Sequence, residues 1–158
     1  MATTDVPSET ALDKEISANV CIIGAGIAGL TTAYLLAREG KSVIVVDDGP
    51  IGGGMTARTT AHLTNALDDR FYELERLFGE AGSRLAGESH TAAIDRVESI
   101  VREEKIDCEF ERVDGYLFLP PNGKLQVLED ELQAAHRAGL TGVRRLDRAP
   151  IESFDTGP

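Results

Sequence analysis

Short apolar runs and helical periods alternate in the first third of the chain. Val20–Ile23 and Val43–Val46 are continuous apolar runs, which is typical of strands buried on both faces of a parallel sheet. Between them, over 26–38, apolar residues recur at helical spacing, and Gly40 follows where glycine often ends a helix. The pattern predicts one strand–helix–strand unit with parallel strands and a right-handed crossover.

Helical periods return after a Gly- and Thr-rich loop over 49–66, which has no period and is long enough to suggest a function. Apolar positions predict a helix over 71–78 and a second, longer helix over 80–104. A third helix is predicted over 124–138, with a glycine directly after it.

Two strands are predicted between the second and third of these helices. Cys108–Val113 and Tyr116–Leu119 are joined by Asp114-Gly115, the residue pair that favours a type I′ hairpin turn. A further short strand is predicted over 143–146. The chain therefore predicts an α/β fold that begins as a parallel unit and continues as helices with an antiparallel hairpin.

Composition and charge narrow the class of protein. The 158 residues suit one domain, and 27 acidic against 16 basic residues give a net charge of −11. This charge would repel nucleic acid and anionic membranes, so neither is expected as a partner. Cys21 and Cys108 lie far apart and form neither a disulfide framework nor a metal site, which favours a reducing, cytoplasmic location.

The beginning of the chain predicts no targeting segment. Residues 1–18 are mostly polar and acidic, unlike a signal peptide, and predict a disordered lead-in. Residues 19–37 carry no charge and are long enough for a membrane helix. Three glycines within them favour a strand, a tight turn and a helix instead.

A dinucleotide-binding fingerprint lies at that turn. The stretch from Gly24 to Gly29 has the form G-x-G-x-x-G between a predicted strand and a predicted helix. Gly24 would allow the tight turn, Gly26 would let the backbone approach a pyrophosphate, and Gly29 would let the helix lie close to the strand. The helix N-terminus would offer free N–H groups to the phosphates.

An acidic residue completes the fingerprint at the end of the second strand. Asp47 follows Gly24 at about the spacing expected for the carboxylate that binds a ribose diol. Asp48 adds a second negative charge, which disfavours the 2′-phosphate of NADP. The alternative is that the glycines only form a turn and that Asp47 is a solvated strand end.

The loop after the second strand bears on which dinucleotide is bound. Its glycine run followed by closely spaced hydroxyls could wrap a cofactor larger than NAD and direct N–H and O–H donors at it, as FAD would need. The alternative is a surface loop with no ligand.

Residues 24–63 resemble the start of FAD-dependent oxidoreductases of the D-amino-acid oxidase, glycine oxidase and glycerol-phosphate dehydrogenase superfamily. Residues 93–119 resemble the helix and hairpin with which these enzymes begin their substrate domain. More narrowly, the chain is similar to a bacterial branch whose members often carry a C-terminal Rieske [2Fe–2S] domain. The resemblance implies an FAD cofactor, a small-molecule substrate and a Rieske domain downstream in the parent protein.

The resemblance also assigns roles within the loop. Thr59 and Thr60 would contact the flavin, and His62 lies near a histidine that some such families join covalently to it, although a polar structural role is the alternative. The full set of expected cofactor-binding residues is Gly24, Ala25, Gly26, Ile27, Ala28, Gly29, Asp47, Asp48, Gly53, Gly54, Arg58, Thr59, Thr60 and His62.

The expected organisation is a lead-in over 1–18, an FAD-binding Rossmann-like unit with its loop over 19–66, and the start of a substrate domain over 67–158. Family members complete the sheet and supply catalytic residues later in the chain, so we expect an N-terminal fragment with no catalytic residue that can be named. The expected activity is hydride transfer from a small amine or alcohol to flavin. The alternatives are an NAD-dependent dehydrogenase domain and a non-catalytic, truncated nucleotide-binding product.

Overall fold

The structure is a computed structural model that describes residue 6 and residues 11–156. It divides into two compact units, Met1–His62 and Leu63–Pro158. Of the predicted lead-in, residues 1–5 and 7–10 lie outside the described residues, and residues 11–18 contain no helix or strand. The predicted domain boundaries at 18 and 66 stay predictions.

The first unit is the strand–helix–strand unit that the apolar pattern predicts. It consists of β1 (Val20–Ile23), α1 (Ile27–Arg38) and β2 (Val43–Val46). The strands are parallel, with Val20 opposite Val43 and Ile23 opposite Val46. Gly40, at a φ of +75°, follows α1, and its N–H donates to the carbonyl of Ala37. The prediction of a parallel two-strand unit joined by a helix is therefore confirmed.

The prediction that both strands are buried on both faces is wrong: all four residues of β2 are only partly buried, and β1 has one exposed face. Val20 and Ile22 are partly buried, whereas Cys21 and Ile23 are exposed, Ile23 by 88 %. Alternate side chains of a strand point to opposite faces, and Ile22 points towards α1. No other described element of this unit lies on the opposite face, so apolar composition alone overstated burial.

The second unit begins with α2 (Phe71–Glu103), which is two helical segments joined at Gly79. A straight helix would separate Phe71 and Ser83 by about 18 Å at 1.5 Å per residue. Instead the Ser83 hydroxyl lies 3.4 Å from the Phe71 carbonyl oxygen. The chain reverses at Gly79, whose φ of +72° suits glycine. The two predicted helices, over 71–78 and 80–104, are therefore confirmed.

The core of this unit lies between α2 and α3 (Leu125–Arg137). A Cβ added to Gly87 would lie 3.4 Å from the ring of Phe71, so glycine lets the two segments pack closely. Arg137 donates two hydrogen bonds, of 2.9 and 2.7 Å, to the Glu75 carboxylate and joins α3 to the first segment of α2. The buried hydrophobic residues of this core are Phe71, Leu74, Ala134, Ala135 and Ala138.

The predicted antiparallel hairpin is not found in the part of the chain that the structure describes. Residues 108–119 contain no strand and make no backbone hydrogen bonds with one another. Glu109 has a φ of +54°, which interrupts the extended backbone. Arg112 instead pairs with Asp95 and Glu98 of α2. A two-stranded hairpin is marginal alone, and here the side chains bond to the helix while the backbone stays unpaired.

The short strand predicted over 143–146 is also absent from the described structure. The N–H of Val143 donates to the carbonyl of Leu140 in a turn, and His136 Nε2 lies 2.7 Å from the carbonyl oxygen of Val143. These contacts hold the backbone against the end of α3 and leave it no strand partner. Within the same described residues, no helix combines the length and the apolar character that crossing a membrane requires.

Candidate dinucleotide site

The turn between β1 and α1 is fixed by its first glycine. Gly24 has a φ of +105°, and its N–H donates to the carbonyl of Val46 at 2.8 Å. Residues with a Cβ rarely adopt this φ, so the turn requires glycine here. The bond to Val46 places the turn at the carboxyl end of both strands, which is where open parallel sheets bind ligands.

Gly29 sets how closely α1 approaches β1. A Cβ at this position would lie 1.9 Å from the Gly24 carbonyl oxygen and 3.3 Å from a side-chain methyl of Ile22. Neither the turn nor the strand could accommodate that atom without moving. The third glycine of the fingerprint is therefore required by the packing of helix on strand.

The start of α1 leaves backbone donors available. Gly26 is the N-cap residue and has no side chain that could cap the helix. The first intrahelical bond runs from the N–H of Leu30 to the carbonyl of Gly26. Among the described residues, the N–H groups of Gly26, Ala28 and Gly29 have no acceptor, as is usual at the start of a helix. These three donors and the positive end of the helix dipole favour an anion here.

The carboxylate of Asp47 binds the same turn. Its Oδ2 accepts a hydrogen bond from the N–H of Ala25 at 2.6 Å, and its Oδ1 accepts one from the N–H of Gly49 at 2.8 Å. Hydrogen bonds from Ala25 and then Gly49 lower the pKa of Asp47 below its ordinary value, because they stabilise the charged form more than desolvation opposes it. An ionised carboxylate has about four lone-pair sites, so Asp47 keeps acceptor capacity for a further donor.

A cleft of about 460 Å³ opens beside this carboxylate. It is lined by the last residues of both strands and by the residues that follow them, namely Ile23, Gly24, Val46, Asp47 and Asp48. The cleft combines apolar walls with acidic hydrogen-bond acceptors at its edge. Such a site suits an uncharged apolar group that carries hydroxyl donors.

The loop after β2 folds back onto the glycine turn. The N–H of Gly52 donates to the carbonyl of Ala25 at 2.8 Å. A short 3-10 helix over Thr56–Arg58 then brings the Thr56 hydroxyl to 3.0 Å from the N–H of Ile27. Sequence reasoning missed both Gly52 and Thr56. The signal available was that a helix beginning after Gly26 needs a cap from elsewhere in the chain.

The other expected site residues of the loop are exposed and make mostly local contacts. The Thr59 hydroxyl lies 3.4 Å from the Thr56 carbonyl oxygen and accepts the N–H of Ala61 at 3.3 Å. In the described structure, no hydrogen bond joins the glycine turn to Gly53, Gly54, Arg58, Thr60 or His62. The structure therefore brings together the turn, Asp47 and Asp48, and leaves the roles of residues 53–62 as predictions.

Metal and thiol chemistry find no support in the described ranges. No group of three or more His, Cys, Asp or Glu side chains there could hold a metal ion. Cys21 and Cys108 are both exposed and free. The candidate binding groups of the first unit are therefore the backbone donors of the glycine turn and the Asp47 carboxylate.

Comparison with protein families gives a match over most of the chain. The model of the FAD dependent oxidoreductase family, DAO, matches residues 19–156. FAD is the cofactor of that family. No solved structure matches the chain.

Several curated proteins are similar to the chain over most of its length. The chain is 38 % identical over 137 residues to "Putative Rieske 2Fe-2S iron-sulfur protein YhfW" of Bacillus subtilis, covering 87 % of the chain and 27 % of that protein. It is 28 % identical over 141 residues to the gamma-glutamylputrescine oxidoreductase of Escherichia coli, covering 89 % of the chain and 33 % of that protein.

A third similar protein is the probable oxidoreductase OrdL of Haemophilus influenzae. It is 26 % identical over 137 residues, which cover 85 % of the chain and 31 % of OrdL. The chain thus spans a third or less of the length of these curated relatives.

The residues of the first unit fit the adenosine diphosphate half of FAD. Gly26, Ala28 and Gly29 offer unpaired N–H donors to a pyrophosphate, and Gly26 itself carries no Cβ that would hinder its approach. Asp47 keeps acceptor sites for ribose hydroxyls, and the cleft beside it has apolar walls.

Proposed function

Because the chain belongs to the FAD-dependent oxidoreductase family DAO, we propose that it is the FAD-binding part of an enzyme that oxidises a small amine or alcohol. In this proposal the first unit holds the cofactor and the second unit begins the substrate domain. The proposed cofactor-binding residues are those that the sequence predicts from Gly24 to His62. FAD, when bound, supplies the hydride acceptor.

The glycine turn carries this proposal. Its backbone donors, the Asp47 carboxylate and the cleft lie within one strand–helix–strand unit and match the chemistry of an adenosine diphosphate group. Two hydrogen bonds hold the turn to the end of β2: the N–H of Gly24 donates to the Val46 carbonyl, and the N–H of Ala25 donates to the Asp47 carboxylate. A site held in this way binds without having to order its backbone first.

An amine is favoured as one substrate class because one similar protein is named a gamma-glutamylputrescine oxidoreductase. We also propose that the parent protein passes electrons to a Rieske centre, because another similar protein is named for one. A cytoplasmic location is proposed on the absence of a disulfide framework. The comparisons favour FAD over the NAD-dependent alternative.

Binding titrations of the 158-residue protein with FAD, ADP and NAD test the cofactor assignment. We expect FAD and ADP to bind and NAD to bind more weakly, because the loop is proposed to contact the flavin. As a control for nonspecific effects of substitution, Gly142→Ala in the second unit should bind FAD as the wild type does, since a Cβ there meets no atom within 4 Å. Tight binding of NAD without binding of FAD would overturn the proposal.

The reaction requires the parent protein from its source cells. We expect a mass well above 17.0 kDa, a yellow colour, and loss of that colour when a small amine is added without oxygen. A colourless parent protein that takes up no FAD would contradict the proposed activity.

A further inference from the structure

The Thr56 hydroxyl caps α1 from outside the helix. An α-helix usually obtains its N-terminal cap from the side chain of its own N-cap residue, but that residue here is Gly26. The Thr56 oxygen accepts the N–H of Ile27 at 3.0 Å from a position 29 residues further along the chain. A Cβ added to Gly26 would lie 3.4 Å from the same oxygen, so the hydroxyl lies directly over the start of the helix.

Three hydrogen bonds connect the chain after β2 to the glycine turn. Asp47 accepts the N–H of Ala25, Gly52 donates to the carbonyl of Ala25, and Thr56 accepts the N–H of Ile27. Both backbone groups of Ala25 are occupied, and this residue is buried. The donors left at the turn are therefore the N–H groups of Gly26, Ala28 and Gly29.

The Thr56 hydroxyl has a further hydrogen to donate. It acts as an acceptor towards Ile27, and in the described structure its own hydrogen has no acceptor. An N–H that donates to a hydroxyl polarises it and strengthens the hydroxyl as a donor. The start of α1 thus presents one O–H beside the three N–H groups of Gly26, Ala28 and Gly29.

We propose that Thr56 is a positioning residue for the cofactor. The Thr56 hydroxyl holds the loop over 49–58 on the start of α1 through the N–H of Ile27. The same hydroxyl donates its own hydrogen to a pyrophosphate oxygen of the bound cofactor. This inference rests on the proposed function, because it requires a bound dinucleotide. It assigns to Thr56 a role that the glycine fingerprint does not contain.

The test compares three variants of the 158-residue protein. Thr56→Val keeps the shape and removes the hydroxyl, whereas Thr56→Ser keeps the hydroxyl. Thr141→Val removes an exposed threonine hydroxyl of the second unit and serves as the matched control. Affinities for FAD, ADP and adenosine are measured by titration, and exchange of the Ile27 amide hydrogen is measured by NMR without ligand.

We expect Thr56→Val to weaken FAD and ADP by the same factor, roughly 3- to 10-fold, which corresponds to one hydrogen bond. Adenosine has no phosphate, so its affinity should not change. The Ile27 amide should exchange faster in Thr56→Val, and Thr56→Ser should restore both amide protection and affinity. Thr141→Val should behave as the wild type.

Each contrary result has a distinct meaning. Wild-type affinity for FAD in Thr56→Val overturns the role of Thr56 and leaves the proposed function intact. Tighter binding also overturns it, because the hydroxyl would then compete with phosphate for the Ile27 N–H. If the wild-type protein binds neither FAD nor ADP, the proposed function fails and this inference fails with it.

Discussion

The two units hold their backbones in place by different means. In the first unit, among the described residues, only Ala25 is a buried apolar residue, and none in α1 is buried. Its elements are fixed by glycine geometry and by hydrogen bonds to the turn. In the second unit, Phe71 and Leu74 pack against three alanines of α3 and its C-cap. One unit therefore depends on backbone geometry, and the other depends on packing.

The two units should therefore be sensitive to different kinds of substitution. A backbone arrangement tolerates changes of most side chains but not the addition of a Cβ at a close approach. A packed core tolerates changes in loops but not the loss of a large buried side chain. Variants that separate these two kinds of sensitivity test the comparison directly.

The largest effect is expected for Phe71→Ala in the second unit. Phe71 is 2 % exposed, and truncating a buried phenylalanine costs about 3–5 kcal/mol in the free energy of unfolding. The matched control is Phe78→Ala, because Phe78 is 68 % exposed and lies on the same helical segment. Chemical denaturation should show a large loss for Phe71→Ala only. Equal losses in the two variants would mean that the core does not lie at Phe71.

The next largest effect is expected for Gly29→Ala in the first unit. Alanine is favoured over glycine within a helix by about 1 kcal/mol. The added Cβ would lie 1.9 Å from a backbone oxygen, and such overpacking costs about 1–3 kcal/mol or more. We expect the clash to outweigh the helix propensity, so that denaturation shows a net loss of stability and titration shows weaker FAD binding.

The control for this clash is Gly54→Ala, also in the first unit, where a Cβ meets no atom within 4 Å. It should leave the free energy of unfolding nearly unchanged. A stabilised Gly29→Ala protein would contradict the close approach of α1 to the turn.

The sequence predicted the elements that depend on local signals, and it did not predict those that depend on contacts between distant residues. The bounds of β1, α1 and β2 follow from apolar runs and from glycine at the two helix ends, which are local signals. In the second unit, two separate apolar patterns predicted two helices, and the boundary between them lies at Gly79. The hairpin over 108–119 failed because its turn signal is local, whereas strand pairing competes with the contacts of Arg112 to α2.

The candidate site was predictable only in part for the same reason. Spacing identified the glycines and Asp47, because the fingerprint has a fixed length. Thr56 reaches Ile27 through a folded loop with no fixed spacing. The burial of β1 was overestimated, since apolar composition does not show which neighbouring elements cover a strand.

A smaller loss of stability is expected when either of two glycines of similar conformation, one in each unit, is changed to alanine. Gly24 and Gly139 have φ values of +105° and +96°, and an added Cβ meets no atom at either position. Each change to alanine should cost about 1 kcal/mol through backbone strain alone. Only Gly24→Ala should also weaken FAD binding, because only Gly24 belongs to the turn. Equal FAD affinities of the two variants would mean that the turn does not belong to the cofactor site.

The smallest effect concerns pH and the first unit alone. The backbone bonds from Ala25 and Gly49 depress the pKa of Asp47 in the folded state. A depressed carboxylate pKa stabilises the fold above the unfolded pKa of about 4, and this contribution is lost as the pH falls through the folded pKa. NMR titration of the Ala25 and Gly49 amides should therefore show a midpoint below the ordinary aspartate value. The same amides should show no such transition in Asp47→Asn, because the amide side chain does not titrate. A midpoint at the ordinary value in the wild type would mean that the carboxylate does not hold the turn, which would then depend on its glycines and on its other hydrogen bonds.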